Sequence, residues 1–130
     1  MNVDQFREVA AKRKAINAQD EVALVRLRAE LSAVLLADLD ATMAFIENQA
    51  TAEELGWMSE VFIELFRQAQ AASKSVELVA SIRKAFAKYP EQIAQWHLNR
   101  KLDLMIRAAM PERPELIVDQ RLRQRFKLDE

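Results

Sequence analysis

From Thr51 to Met110 the apolar residues recur at spacings of three and four, with charged residues between them, which is the period of helices that bury one face. The stretch divides into three. Thr51-x-x-Glu54 opens the first as a capping box, in which each side chain bonds the other residue's backbone N–H. This helix runs to about Ala71, with Leu55, Met58, Phe62, Leu65, Phe66 and Ala69 on the buried side and Glu53, Glu60 and Glu64 opposite. Ser73 or Ser75 caps the second, which turns Leu78, Val79, Ile82, Ala85, Phe86 and Tyr89 inward and Glu77, Lys84 and Lys88 outward. It ends at Tyr89, because a following proline disfavours the helical state. Pro90 opens the third, with Glu91 well placed for the helix dipole and Leu98, Leu102, Met105, Ile106 and Ala109 as its core stripe.

The flanks follow the same period. Val3 to about Ala18 collects Val3, Phe6, Val9, Ala10 and Ile16 on one side, and Asp20 caps a second helix carrying Leu24, Leu27, Leu31, Val34 and Leu35. Between Asp38 and Asp40 the spacing falters: either Asp40 starts a short helix with Met43, Phe45 and Ile46, or one bent helix spans 21–48. Asn48, Gln49 and Ala50 connect to Thr51. After breaks at Pro111 and Pro114, a last helix from Pro114 to Phe126 presents Leu116, Ile117, Leu122 and Phe126. The pattern predicts an all-α fold in one domain over residues 1–130, a bundle or short solenoid-like array of about six helices joined as antiparallel neighbours, with 1–20 and 127–130 loosely ordered.

Composition narrows the function classes. A chain of 130 residues suits one domain with a sizeable core, and a single glycine with three prolines leaves little from which to build hairpins or phosphate-cradling loops. The absence of cysteine excludes disulfides, thiolate metal sites and a cysteine nucleophile. The longest run without a charge is eight residues, Gln92–Asn99, too short to span a membrane, and the N-terminus has no signal-peptide core, so a cytoplasmic location is expected. The net charge of −1 hides an asymmetry. Residues 21–72 hold three basic and nine acidic side chains, residues 73–110 seven basic and three acidic.

The candidate chemistry is sparse. His97, the only histidine, falls beside Ile93, Leu104 and Ala108 on a helical wheel, which suits a partly buried structural role. Glu53, Glu60 and Glu64 share a face, but a di-iron bundle needs Glu-x-x-His, which is absent, so no metal or cofactor is expected. Arg121, Arg123, Arg125 and Lys127 are offset by neighbouring acids. Trp57 lies beside the three glutamates, and Trp96 shares a side with Arg100, Asp103 and Arg107. Tryptophan ringed by charge is the composition of a protein-binding hot spot. Glu53, Trp57, Glu60, Glu64, Trp96, Arg100 and Arg107 are therefore the candidate partner-binding residues of a non-enzymatic module, alone or as a homodimer. The alternatives are a regulatory protein that binds nucleic acid through basic residues in 73–127 and an enzyme using His97 with Glu60 or Glu64.

The order Trp57-Met58-Ser59-Glu60, an apolar helix, then Lys88-Tyr89-Pro90 opening another helix resembles small helical bacterial immunity proteins, over residues 51–110. The resemblance implies a cytoplasmic protein without enzyme activity that neutralises one cognate toxin by direct binding. The concentrated glutamates add the expectation that the partner is a basic toxin domain.

Overall fold

The computed structural model describes residues 1–119 and 121–122. Among them are eight α-helices: α1 Val3–Ala15, α2 Glu21–Leu36, α3 Leu39–Asn48, α4 Ala52–Met58, α5 Phe62–Ala71, α6 Ser75–Phe86, α7 Pro90–Gln95 and α8 Leu98–Ala109. Two 3-10 turns, Ser59–Val61 and Pro114–Leu116, complete an all-α fold with no strand among the described residues.

Local chemistry sets most boundaries. Asn2 and Asp20 accept from the N–H groups of Gln5 and Ala23, capping α1 and α2. The chain breaks between α2 and α3 rather than bending, and Asp38, not Asp40, caps α3 through the Ala41 N–H at 3.1 Å. Thr42, wholly buried, closes that break by donating its hydroxyl to the Leu35 carbonyl at 2.6 Å, one of the orphan carbonyls in the last turn of α2. Thr51 and Glu54 form the expected capping box, with N···O distances of 3.2 and 2.9 Å.

Other boundaries depart from the wheel. The helix expected over 51–71 is interrupted, because the Ser59 hydroxyl turns back to the Gly56 carbonyl at 2.6 Å and the chain passes through a 3-10 turn before α5. Neither Ser73 nor Ser75 caps α6; Lys74 holds the cap position without a side-chain bond, after Ser73 at φ 58°. α6 stops at Phe86, short of Tyr89. The helix expected from Pro90 breaks at His97, whose φ of 55° lies in the left-handed region, so α7 and α8 point in different directions. Past Pro114 no helix continues over 117–119: Ile117 is extended and buried. Leu122 is buried as well, while Phe126 and the arginines at 123 and 125 lie outside the described residues.

One apolar cluster joins all eight helices. Leu31, Leu35, Leu55, Phe62, Leu65, Phe66, Ile82, Phe86, Leu102 and Ile106 are buried, as their spacing predicts. α5 is central, touching α2, α6 and α8. α1 packs on α2, with Phe6 fully buried edge-on to Phe45 at 5.3 Å. α3 and α6 run side by side, clamped by Lys74–Asp40, Lys84–Glu47 and Lys88 to the Glu47 carbonyl. The segment after α8 is strapped down by Asp103, which is 2% exposed: it pairs with Arg83 and accepts the N–H groups of Val118 and Asp119 at 3.0 and 3.1 Å. Asp103 is thus a structural group and not part of an exposed face with Trp96.

Candidate functional site

α1 lies across α4 because its basic residues meet the glutamates there. Arg7 Nε is 3.0 Å from Glu54, Lys14 Nζ is 3.7 Å from Glu53, and Arg13 grips Glu60 side-on through Nε and Nη2 at 2.8 to 3.2 Å. Arg13 follows Phe6, Val9 and Ala10 at the i+7 position of the buried stripe, so its stem runs inward and its head reaches the 3-10 turn. Its guanidinium also lies 5.1 Å from the centre of the Trp57 ring. Glu60 holds Arg13 firmly protonated, its hydrogen bonds outweighing burial. The expected row of Glu53, Glu60 and Glu64 therefore does not stand as a negative patch. α1 neutralises the first two members, leaving Glu64 exposed.

What these contacts frame is a cleft of about 460 Å³ where α1, α4 and α8 converge. Gly56, the only glycine of the chain, lies in it, with Trp57 beside it. Trp96, 42% exposed at the end of α7, rests over the same glycine: a Cβ on Gly56 would sit 3.8 Å from the Trp96 ring. Leu98 adds an apolar surface, and Lys14, Ser59, Glu60 and Lys101 supply the polar groups. A second depression of about 580 Å³, between α1 and the start of α4, shares Lys14, Glu53 and Trp57, so Trp57 stands as a ridge between two adjoining hollows.

Lys101 is the unusual cation. Its Nζ donates to Ser59 Oγ at 2.9 Å, and that hydroxyl's own proton is directed at the Gly56 carbonyl. Among the described residues no carboxylate lies within ion-pair distance of Lys101, because Arg13 occupies both oxygens of Glu60 and Arg28 adds a longer contact at 3.9 Å. Burial lowers the Lys101 pKa and nearby Arg28 lowers it further, with Glu60 acting in the opposite sense. Ser59 and Lys101 have the separation of a Ser–Lys dyad, but Ser59 is 1% exposed and its proton is committed to Gly56, so the pair positions and does not present a nucleophile.

Of the candidates from sequence, Glu53, Trp57, Glu60 and Trp96 come together at the cleft, whereas Glu64, Arg100 and Arg107 do not line it. Nor does His97, which is exposed rather than partly buried, since the break it causes removes it from the wheel that placed it beside Leu104 and Ala108. Gly56 and Lys14 were missed, Ser59 entered only within the Trp57-Met58-Ser59-Glu60 order, and Lys101 only among the basic residues of the nucleic-acid alternative. Gly56 alone carried a signal, an isolated glycine within a helical pattern, which calls for a packing or functional reason.

Comparison with protein-family models, with curated proteins and with solved structures returns no match for this chain. No helix among the described residues is long and apolar enough to cross a membrane, and no three of their His, Asp or Glu side chains converge as a metal site.

Proposed function

We propose that this chain is a protein-binding module that takes a segment of a partner polypeptide into the cleft between Trp57 and Trp96, and more narrowly that it is an immunity protein whose partner is a toxin domain. The observation that carries the reading is the meeting of the two tryptophans in one cleft at the only glycine, on which the Trp96 ring rests. Gly56 costs helix stability of roughly 1 kcal/mol relative to alanine, and a side chain longer than a methyl there would displace the Trp96 ring from its place beside Trp57. Tryptophan with a half-desolvated polar rim is the usual anchor of an interface. The adjoining hollow across Trp57 favours an extended segment over a compact small molecule, whose sites enclose most of the ligand surface. The basic residues of α6 support a nucleic-acid reading poorly, since Lys74, Arg83, Lys84 and Lys88 are tied to Asp40, Asp103 and Glu47.

The test is co-purification of the tagged full chain from its native host, with partners identified by mass, beside Trp57→Ala, Trp96→Ala and Gly56→Leu. A partner retained by the wild type and lost from all three variants supports the cleft. Equal retention by every variant places the interface elsewhere. If the partner is toxic when expressed alone and harmless when co-expressed with this chain, the immunity reading stands; a harmless partner removes it and leaves the binding module.

A further inference from the structure

We propose that the cleft reads a carboxylate: the partner segment presents a glutamate or aspartate side chain to Lys101, beside a large apolar side chain that lies against the two tryptophans and Leu98. This rests on the reading that the cleft is where a partner polypeptide binds.

The argument is a count of charges and of hydrogen-bonding capacity. Three cations, Arg13, Arg28 and Lys101, gather around one carboxylate, Glu60. Arg13 takes both oxygens of that carboxylate, so Glu60 has no good geometry left to offer Lys101. An ammonium has three N–H donors. Lys101 gives one to the Ser59 hydroxyl, which accepts it while donating its own proton to Gly56 but is neutral and so does not balance the charge. Charges withdrawn from water are ordinarily paired, because desolvation of an unpaired one is costly. Lys101 is partly buried and lines a cleft open to solvent.

An incoming carboxylate relieves this arrangement, whereas an incoming ammonium worsens it. Lys14, at the mouth and held only at 3.7 Å from exposed Glu53, is a second cation within reach of the same ligand. The apolar part of the ligand follows from Trp57, Trp96 and Leu98. The surface is thus complementary in both charge and polarity to an acidic-apolar pair of residues, and mismatched to the basic segment that the row of glutamates implies from sequence.

The probes are three blocked dipeptides, N-acetyl-Phe-Glu-amide, N-acetyl-Phe-Gln-amide and N-acetyl-Phe-Lys-amide, titrated against the full chain. Binding is followed by amide chemical shifts and by the fluorescence of the two tryptophans, both of which line the cleft. The Glu peptide is expected to bind roughly tenfold more tightly than the Gln peptide, the scale of one charge-assisted hydrogen bond, and the Lys peptide most weakly. Lys101→Met should erase the Glu-over-Gln preference while leaving the weak apolar binding common to all three, and Lys101→Arg should preserve it. Equal binding of the Glu and Gln peptides to the wild type overturns the proposal, as does a preference that survives Lys101→Met or a Lys peptide that binds best. Gly56→Leu, whose side chain beyond Cβ displaces the Trp96 ring and so reshapes the cleft, separates the two levels of the argument. Loss of all three peptides in that variant keeps the cleft as the site even where the carboxylate preference fails. Binding of all three that is unaffected by Gly56→Leu, or no binding of any probe to the wild type, overturns the proposal together with the cleft itself.

Discussion

Glu60→Gln is the most informative single change, because one carboxylate holds α1 to the 3-10 turn and balances three cations. Glu60 and Arg13 each have only 15% of their side chain exposed. Removing one partner of a fully buried pair costs about 3 to 5 kcal/mol, and the residual exposure brings the expectation here to about 2 to 3 kcal/mol. The isosteric amide keeps the volume, so the loss reports charge and hydrogen bonding, not a cavity. Urea unfolding at neutral pH, followed by tryptophan fluorescence and read at constant m, measures it. The double variant Arg13→Met/Glu60→Gln should recover part of the loss, since no charge is then stranded between them. The same variant has a signature in pH. Lys101 has a folded pKa below its ordinary 10.5, so the unfolded chain binds more protons over the interval between the two values, and stability contributed by this group rises with pH there. Glu60 is the group that raises the Lys101 pKa, so in Glu60→Gln that interval must open at a lower pH, and Lys101→Met must abolish it. A loss below about 0.5 kcal/mol, with an unchanged alkaline limb, would refute the view that Glu60 is the hub of the site.

Phe62→Ala should cost about 3 to 5 kcal/mol in the same assay, because the ring is wholly buried between Phe66 and Phe86; a loss near 1 kcal/mol would mean that the core closes around the gap. Asp103→Ala should strand the Arg83 guanidinium and release the strap, at about 3 kcal/mol, and should speed hydrogen exchange of the Val118 and Asp119 amides selectively. Exchange that stays slow would show that buried Ile117 holds the strap unaided. His97→Gly should raise stability by about 0.5 to 1 kcal/mol once the chain entropy of glycine is subtracted, whereas His97→Val should lower it, since a β-branched residue fits the left-handed region badly. Neither change at His97 should alter partner binding, as its side chain does not line the cleft.

What the sequence made legible was everything decided within about one helical turn. Thr51 and Glu54 satisfy each other's backbone N–H across three residues, so the cap is visible in the letters, and the stripe from Phe62 to Ala69 needs only the helical period to be placed inward. The wheel failed where a distant group or a single side chain interrupted the helix. Nothing local distinguishes Ser59 as the residue whose hydroxyl returns to Gly56, although the buried stripe resumes beyond the turn where the spacing places it. His97 repeats the failure between α7 and α8, where a left-handed residue separates Trp96 from the stripe on which it was judged.

The charges were misjudged for a related reason. Glu53 and Glu60 read as outward because their own helix is otherwise apolar on the other side, yet the basic residues of α1 that cover this stretch stand 47 positions away in the case of both Arg7–Glu54 and Arg13–Glu60. That cover reverses the electrostatic sense of the site. Once α1 has neutralised the glutamates, the charge left with unfilled bonding capacity at the cleft is the ammonium of Lys101, a residue that the sequence offers only as one of several basic residues for nucleic acid. The tryptophans were identifiable because an aromatic residue off the buried stripe is an anomaly in any helical register, and an error in phase does not remove it. Their partner in the fold, Gly56, was anomalous on the same terms. An anomaly of residue type thus survives loss of register where an inference about charge does not, which is why the aromatic half of the proposed site is readable from sequence and the carboxylate-binding half emerges only from the packed structure.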